Sequence, residues 1–95
     1  MKKEPVSIVT DLRRRECHIC GYSGDLQLHH MIHGQNRRLA DLDGLTCWLC
    51  VRCHTELHDH GINDRGLQQE AQRAWMVRHG KDEDSWVERY GKSYL

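Results

Sequence analysis

Apolar and polar residues alternate through Leu26-Gln27-Leu28-His29, which is the period of a half-buried strand. Leu45–Leu49 reads as a second strand returning beside it. The polar stretch from Gly34 to Gly44 (GQNRRLADLDG) reads as the loop between them. Cys50–His58 places Val51, Thr55 and His58 at helical spacing and predicts a helix. From Asp64 the steps become three and four: Leu67, Ala71, Ala74, Trp75 and Arg78 predict a long helix. Asp64 is its expected N-cap and Gly80 its stop. Asp82–Tyr90 predicts a shorter helix with Trp86, Val87 and Tyr90 on one face. Upstream, residues 1–10 read as a loose arm with an extended piece at Val6–Val9, and Asp11 is placed to cap a short helical stretch through Arg15. The expectation is an α+β chain: a hairpin, a helix, and C-terminal helices over 64–95 that fold back as a core.

Length limits this to one domain, 1–95. A chain of 95 residues with 38% hydrophobic side chains buries a thin core, and such domains often need a metal or disulfides. No apolar run approaches the roughly 20 residues that span a bilayer. No apolar segment follows the N-terminal lysines as in a secretory signal, so a cytoplasmic location is expected. Fourteen basic and fourteen acidic residues exclude a generally basic nucleic-acid coat but leave room for a local patch. Arg13, Arg14 and Arg15, and Arg37 with Arg38, are the candidate phosphate contacts. A solvated face is the plain alternative for the first run. No base-reading element is evident, so any recognition of DNA should be weakly sequence-specific.

The cysteines supply the expected staple. Cys17/Cys20 and Cys50/Cys53 are two C-x-x-C pairs. Each pair lets one tight turn aim two sulfurs at one ion, and two pairs complete a closed tetrahedral Zn²⁺ shell. Gly21 and Gly24 suit the turns of the first knuckle, Cys17–Gly24. Cys47, in an apolar run, reads as packing.

Eight histidines remain to be explained. His54 and His58 are four apart and share a helix face, so both can reach one ion. His29 and His30 close the first strand and point to opposite sides. One of them can bind metal while the other faces a substrate. His60 competes with His58 for the last ligand place. His79 lies near a helix end, where a cation is favoured. His18 and His33 have no evident role.

ECHIC, LHHMIHG, LCVRCH and ELHDHG together resemble the HNH (ββα-metal) nucleases of the zinc-stapled, treble-clef kind. More narrowly, LHHMIHGQNRRLADLDGLTCWLCVRCH and RYGKSYL resemble small prophage proteins grouped with the phage recombination-enhancement (Ref) nuclease, which acts with RecA. The likeness runs from Glu16 to Leu95. It implies a metal-dependent DNA endonuclease of phage or prophage origin, with DNA and a RecA filament as partners. In that family pattern His30 stands at the general base, His29 at the first metal ligand, and His54 and His58 at the helix ligands. The cofactors implied are structural Zn²⁺ and a catalytic divalent ion, Mg²⁺ or Mn²⁺. An imidazole-rich site also suits manganese, nickel, cobalt or zinc better than magnesium. The chain departs from the family where an Asn often holds the base: Leu45 stands there, with Asp43 or Asn36 as possible substitutes. Two other functions compete. A non-catalytic zinc module binding nucleic acid or protein is favoured by the missing Asn. A redox thiol protein would have no use for the histidines.

Overall fold

The computed structural model describes residues 6–95, so the first half of the expected arm lies outside the described residues. Strand β1 (Leu26–His30) pairs antiparallel with β2 (Thr46–Cys50), with Leu26 opposite Cys50 and His30 opposite Thr46. Four helices accompany this two-stranded sheet: α1 (Arg37–Asp43), α2 (Val51–His60), α3 (Asp64–His79) and α4 (Glu83–Tyr90). The architecture is α+β, and no helix is long and apolar enough to cross a membrane.

The segment between the strands is the main correction. A 3-10 turn (Gly34–Asn36) leads into α1, which buries Ala40 and ends at Gly44. Gly44 has φ +72°, and a Cβ there would meet the Val6 carbonyl oxygen at 3.1 Å, so glycine suits both the turn and the close approach. Its own carbonyl accepts from Ile8 N–H at 2.9 Å. The described part of the arm is tied down. Ser7 Oγ donates to the Thr46 carbonyl at 2.6 Å, and Trp48 Nε1 donates to the Leu12 carbonyl at 2.7 Å. No helix forms over 11–15. Asp11 instead folds its carboxylate onto the Arg13 amide at 3.0 Å, the short-range bond by which aspartate favours a turn.

In α2 the buried residues are Cys53 and Leu57, whereas Val51, Thr55 and His58 lie on its exposed side. In α3 Leu67, Ala71, Gln72 and Trp75 are buried, while Arg78 is exposed. Its N-cap is Asn63, in a left-handed conformation, and Asp64 is the first helical residue. Asp82 caps α4 by accepting from the Ser85 amide.

The C-terminal helices make the aromatic part of the core. Trp86 is fully buried, stacked on Tyr90 with centroids 4.0 Å apart, and edge-on to Trp75 at 5.6 Å. Buried Gln72 satisfies its amide by donating to Ser93 Oγ and accepting from the Tyr94 amide. This core meets the sheet side through Leu45, Cys47 and Leu49, all fully buried.

Candidate metal centre

The first knuckle is closed by the backbone. Cys17 N–H donates to the Tyr22 carbonyl, and Gly21, at φ +81°, donates back to the Cys17 carbonyl at 2.8 Å. His18 N–H then donates to the Trp48 carbonyl, fastening the knuckle to β2. The second knuckle is the junction of β2 and α2. Cys50 ends the strand and caps the helix, its sulfur accepting from the Cys53 amide at 3.5 Å. The four sulfurs of Cys17, Cys20, Cys50 and Cys53 all lie within 4.8 Å of one another. The Cys20 and Cys50 sulfurs are 3.7 Å apart. A tetrahedron with zinc–sulfur bonds of about 2.3 Å has edges of about 3.8 Å, so the residues present fit such an ion.

Electrostatics point the same way. Burial raises the Cys17 thiol, but the amides of Cys20, Cys50 and Ile19 outweigh it and draw its pKa down to about 6. Burial, and then the Cys50, Cys20 and Cys17 sulfurs, push Cys53 up to about 12. Cys17 forms its thiolate readily and Cys53 resists, so charging both needs a cation among the sulfurs. Cys47 is outside the cluster. Burial pushes it up to about 12, which leaves it an inert packing residue.

Imidazoles converge on the other face of β1. Gln27 and His29 project to one side of the strand and His30 to the other. The ligating nitrogens of His29, His54 and His58 lie within 4.8 Å of one another. His29 is 2% exposed, and its Nε2 is buried with no hydrogen-bond partner. Burial first, then the charges of His54, His33, His58 and His30, hold its pKa down at about 3, so the ring is neutral and its lone pair free at neutral pH. His54 is lowered by burial and then by His58 and His33. His54 Nδ1 lies 2.5 Å from Gln27 Oε1. A carbonyl oxygen only accepts, so Nδ1 carries the proton and Nε2 presents its lone pair. That nitrogen is 2.9 Å from His58 Nε2, which therefore donates. An ion between the two rings would replace this hydrogen bond and shift the His58 proton to Nδ1. His60 ends α2 exposed and belongs to no potential metal-binding group among the described residues, so the last helix place falls to His58.

Two residues not expected at a metal centre join this cluster. His33 lies 5.4 Å from His29 and 6.0 Å from His58, ring to ring, and its Nε2 is 2.5 Å from Asp64 Oδ1. They are 31 positions apart, and no local spacing announces the pair. His18 is drawn off to Glu70 at 2.8 Å, and His79 packs on Trp75.

His30 Nε2 faces Asp41 Oδ1 at 3.2 Å. Neither expected substitute for the missing Asn reaches it. Asp43 accepts from Arg89 and Tyr90, and Asn36 donates to the Tyr90 carbonyl. Leu45 is core, its carbonyl taking the Met31 amide at 2.9 Å. The carboxylate that faces His30 comes from α1, the helix that the sequence reading leaves as a loop.

Arg37 and Arg38 are exposed in the first turn of α1, the helix that also carries Asp41. Arg13 is engaged by Asp11 through Nε and Nη2, and Arg15 lies over the Trp48 ring at 4.6 Å. Arg14 is exposed.

Compared with known proteins, the chain matches no family model, no curated protein and no solved structure.

Proposed function

We propose that the chain is a metal-dependent endonuclease of the HNH type that hydrolyses phosphodiester bonds in DNA, and that its hairpin, α2 and cysteine knuckles are a zinc-stapled treble-clef ββα unit. The observation that carries this is the orphaned Nε2 of His29. A buried, unpaired imidazole nitrogen is costly, and here its ring lies beside two further imidazoles on α2. A purely structural zinc module needs only the four thiolates.

A divalent ion held by His29, His54 and His58 supplies positive charge for the scissile phosphate and the leaving 3′ oxygen. His30, on the opposite face of β1, accepts the proton of the attacking water through its free ring nitrogen. Asp41 orients that ring by holding Nε2, the part that an Asn plays in the related enzymes. Arg37 and Arg38 flank α1 as phosphate contacts, while Arg13, Arg14 and Arg15 extend the basic surface at the N-terminal segment. The GQNRR stretch and the RYGKSYL ending favour the prophage recombination-enhancement group, and with it a RecA-coated strand as substrate.

The test is cleavage of supercoiled plasmid and single-stranded DNA with Mn²⁺ or Mg²⁺, with and without RecA. Nicking that His30→Ala abolishes is the expected result. No cleavage under any of these conditions would leave the second reading, a non-catalytic zinc module, which the buried Leu45 in place of Asn favours.

A further inference from the structure

The group formed by His29, His33 and Asp64 is not needed by the chemistry above. Its ligating atoms also lie within 4.8 Å of one another, and it shares only His29 with the three-histidine group. Asp64 sits at the start of α3, where a carboxylate is favoured by the helix dipole, so its placement alone argues nothing. The second observation is His29 itself: its Nε2 is buried and unpartnered, and the residue is common to both groups. His33 and Asp64 are half-buried, with side chains 36% and 27% exposed, so an ion there would keep open positions.

We propose that His29, His33 and Asp64 form a second position for a divalent ion, selective for an octahedral, oxygen-preferring cation such as Mn²⁺. The neutral His29 ring has one nitrogen with a free lone pair, so it binds one ion. The two positions therefore exclude each other, and one ion takes either side of His29. The sides differ in chemistry. His29, His54 and His58 are neutral imidazoles, which suit zinc, nickel or cobalt. His29, His33 and Asp64 add a charged oxygen ligand, which manganese and magnesium favour and which offsets part of the ion's charge. The centre thus sorts metals by which neighbour of His29 they choose. The inference rests on His29 being a metal ligand, as in the proposed function, but not on DNA cleavage.

The test uses the whole chain with zinc retained in the cysteines, titrated with Mn²⁺ followed by electron paramagnetic resonance and with Zn²⁺ by competition. Wild type should bind one further ion, Mn²⁺ or Zn²⁺ but not both. Asp64→Asn should weaken Mn²⁺ by about 10–100-fold, the usual scale for losing a supporting group at a metal site, and leave the second Zn²⁺ unchanged. His54→Ala should do the reverse, and His29→Ala should lose both. His33→Asn repeats the Asp64 result at the other member of the pair. Melting curves and zinc content identify any variant that fails to fold, and the other variant then decides. Simultaneous Mn²⁺ and Zn²⁺ binding beside His29 would overturn the proposal. So would Mn²⁺ affinity indifferent to Asp64 and His33, or lost equally with His54. Because no DNA is present, a protein that sorts metals as described but cuts nothing would sink the nuclease reading and spare this one.

Discussion

One strand–helix junction carries two members of each of two donor clusters that behave oppositely. Cys50 caps α2 and Cys53 lies in its first turn, while His54 and His58 follow along the helix. The cysteine cluster is mostly buried, laced by amide donors, and closed by four sulfurs from two knuckles. The histidine cluster is graded: His29 is buried, His54 half-buried and His58 exposed. A four-thiolate shell leaves no room for a substrate, whereas three imidazoles with an exposed side do. Under the proposed function, the contrast separates an ion that would hold the chain from an ion that would act on a substrate.

Removing the first ion should have the largest effect. Structural zinc in small domains contributes about 10–16 kcal/mol of apparent binding energy, which is folding energy. Stripping zinc with a strong chelator, or making Cys53→Ser, should abolish the cooperative melt followed by circular dichroism. A metal-free sample with an unchanged melt would erase the contrast between the clusters.

His30→Ala should lower the cleavage rate by about 10²–10⁴-fold, the usual value of a general base. Its zinc content and melting curve should match wild type, because His30 belongs neither to the cysteine cluster nor to the hydrophobic core. A variant that cuts equally well would move the base elsewhere.

Gln27→Ala sharpens the comparison at one hydrogen bond. Without Gln27 Oε1 the His54 ring loses its fixed tautomer. Affinity for the second ion should fall about 10–100-fold, with zinc in the cysteines untouched. Equal affinity by calorimetry would mean that α2 alone orients the ring.

A further effect is pH-dependent. In the folded chain His29 is held neutral, its pKa pushed down to about 3, against about 6.5 when unfolded. The unfolded state therefore binds one more proton between these values. Its contribution to stability is present above about pH 6.5 and is lost as pH falls toward 3, at about 1.4 kcal/mol per pH unit. Without the second ion, wild type should lose stability faster than His29→Gln over that window. Parallel slopes in denaturant melts would show that His29 takes up its proton without opening the fold.

Legibility in the sequence follows the range of each interaction. The strands and the three longer helices show because period and caps are local: alternation at 26–29, steps of three and four from Leu67, Gly80 as a stop. The cysteine and His54/His58 sets show because their spacing is within one turn. Helix α1 hides because seven residues burying one alanine leave no periodicity. Its left-handed Gly44 is the signal that could have revealed it. The face of α2 is misread because Val51 is apolar but exposed, while Cys53, a member of the four-sulfur cluster, takes the core position. His33 with Asp64, and His30 with Asp41, are pairs that only tertiary structure brings together.

Helix α1 also joins two parts of the molecule mechanically. Asp41 and Asp43 are about 200° apart around it. One faces His30, and the other is clasped by Arg89 Nε at 2.6 Å, Arg89 Nη2 at 2.8 Å and Tyr90 Oη at 2.6 Å. Helix α4 is therefore tied to the same short helix that places Asp41 beside His30. Arg89→Ala, far from both donor clusters in the chain, should then slow cleavage with metal content unchanged. An unchanged rate would mean that the two carboxylates move independently.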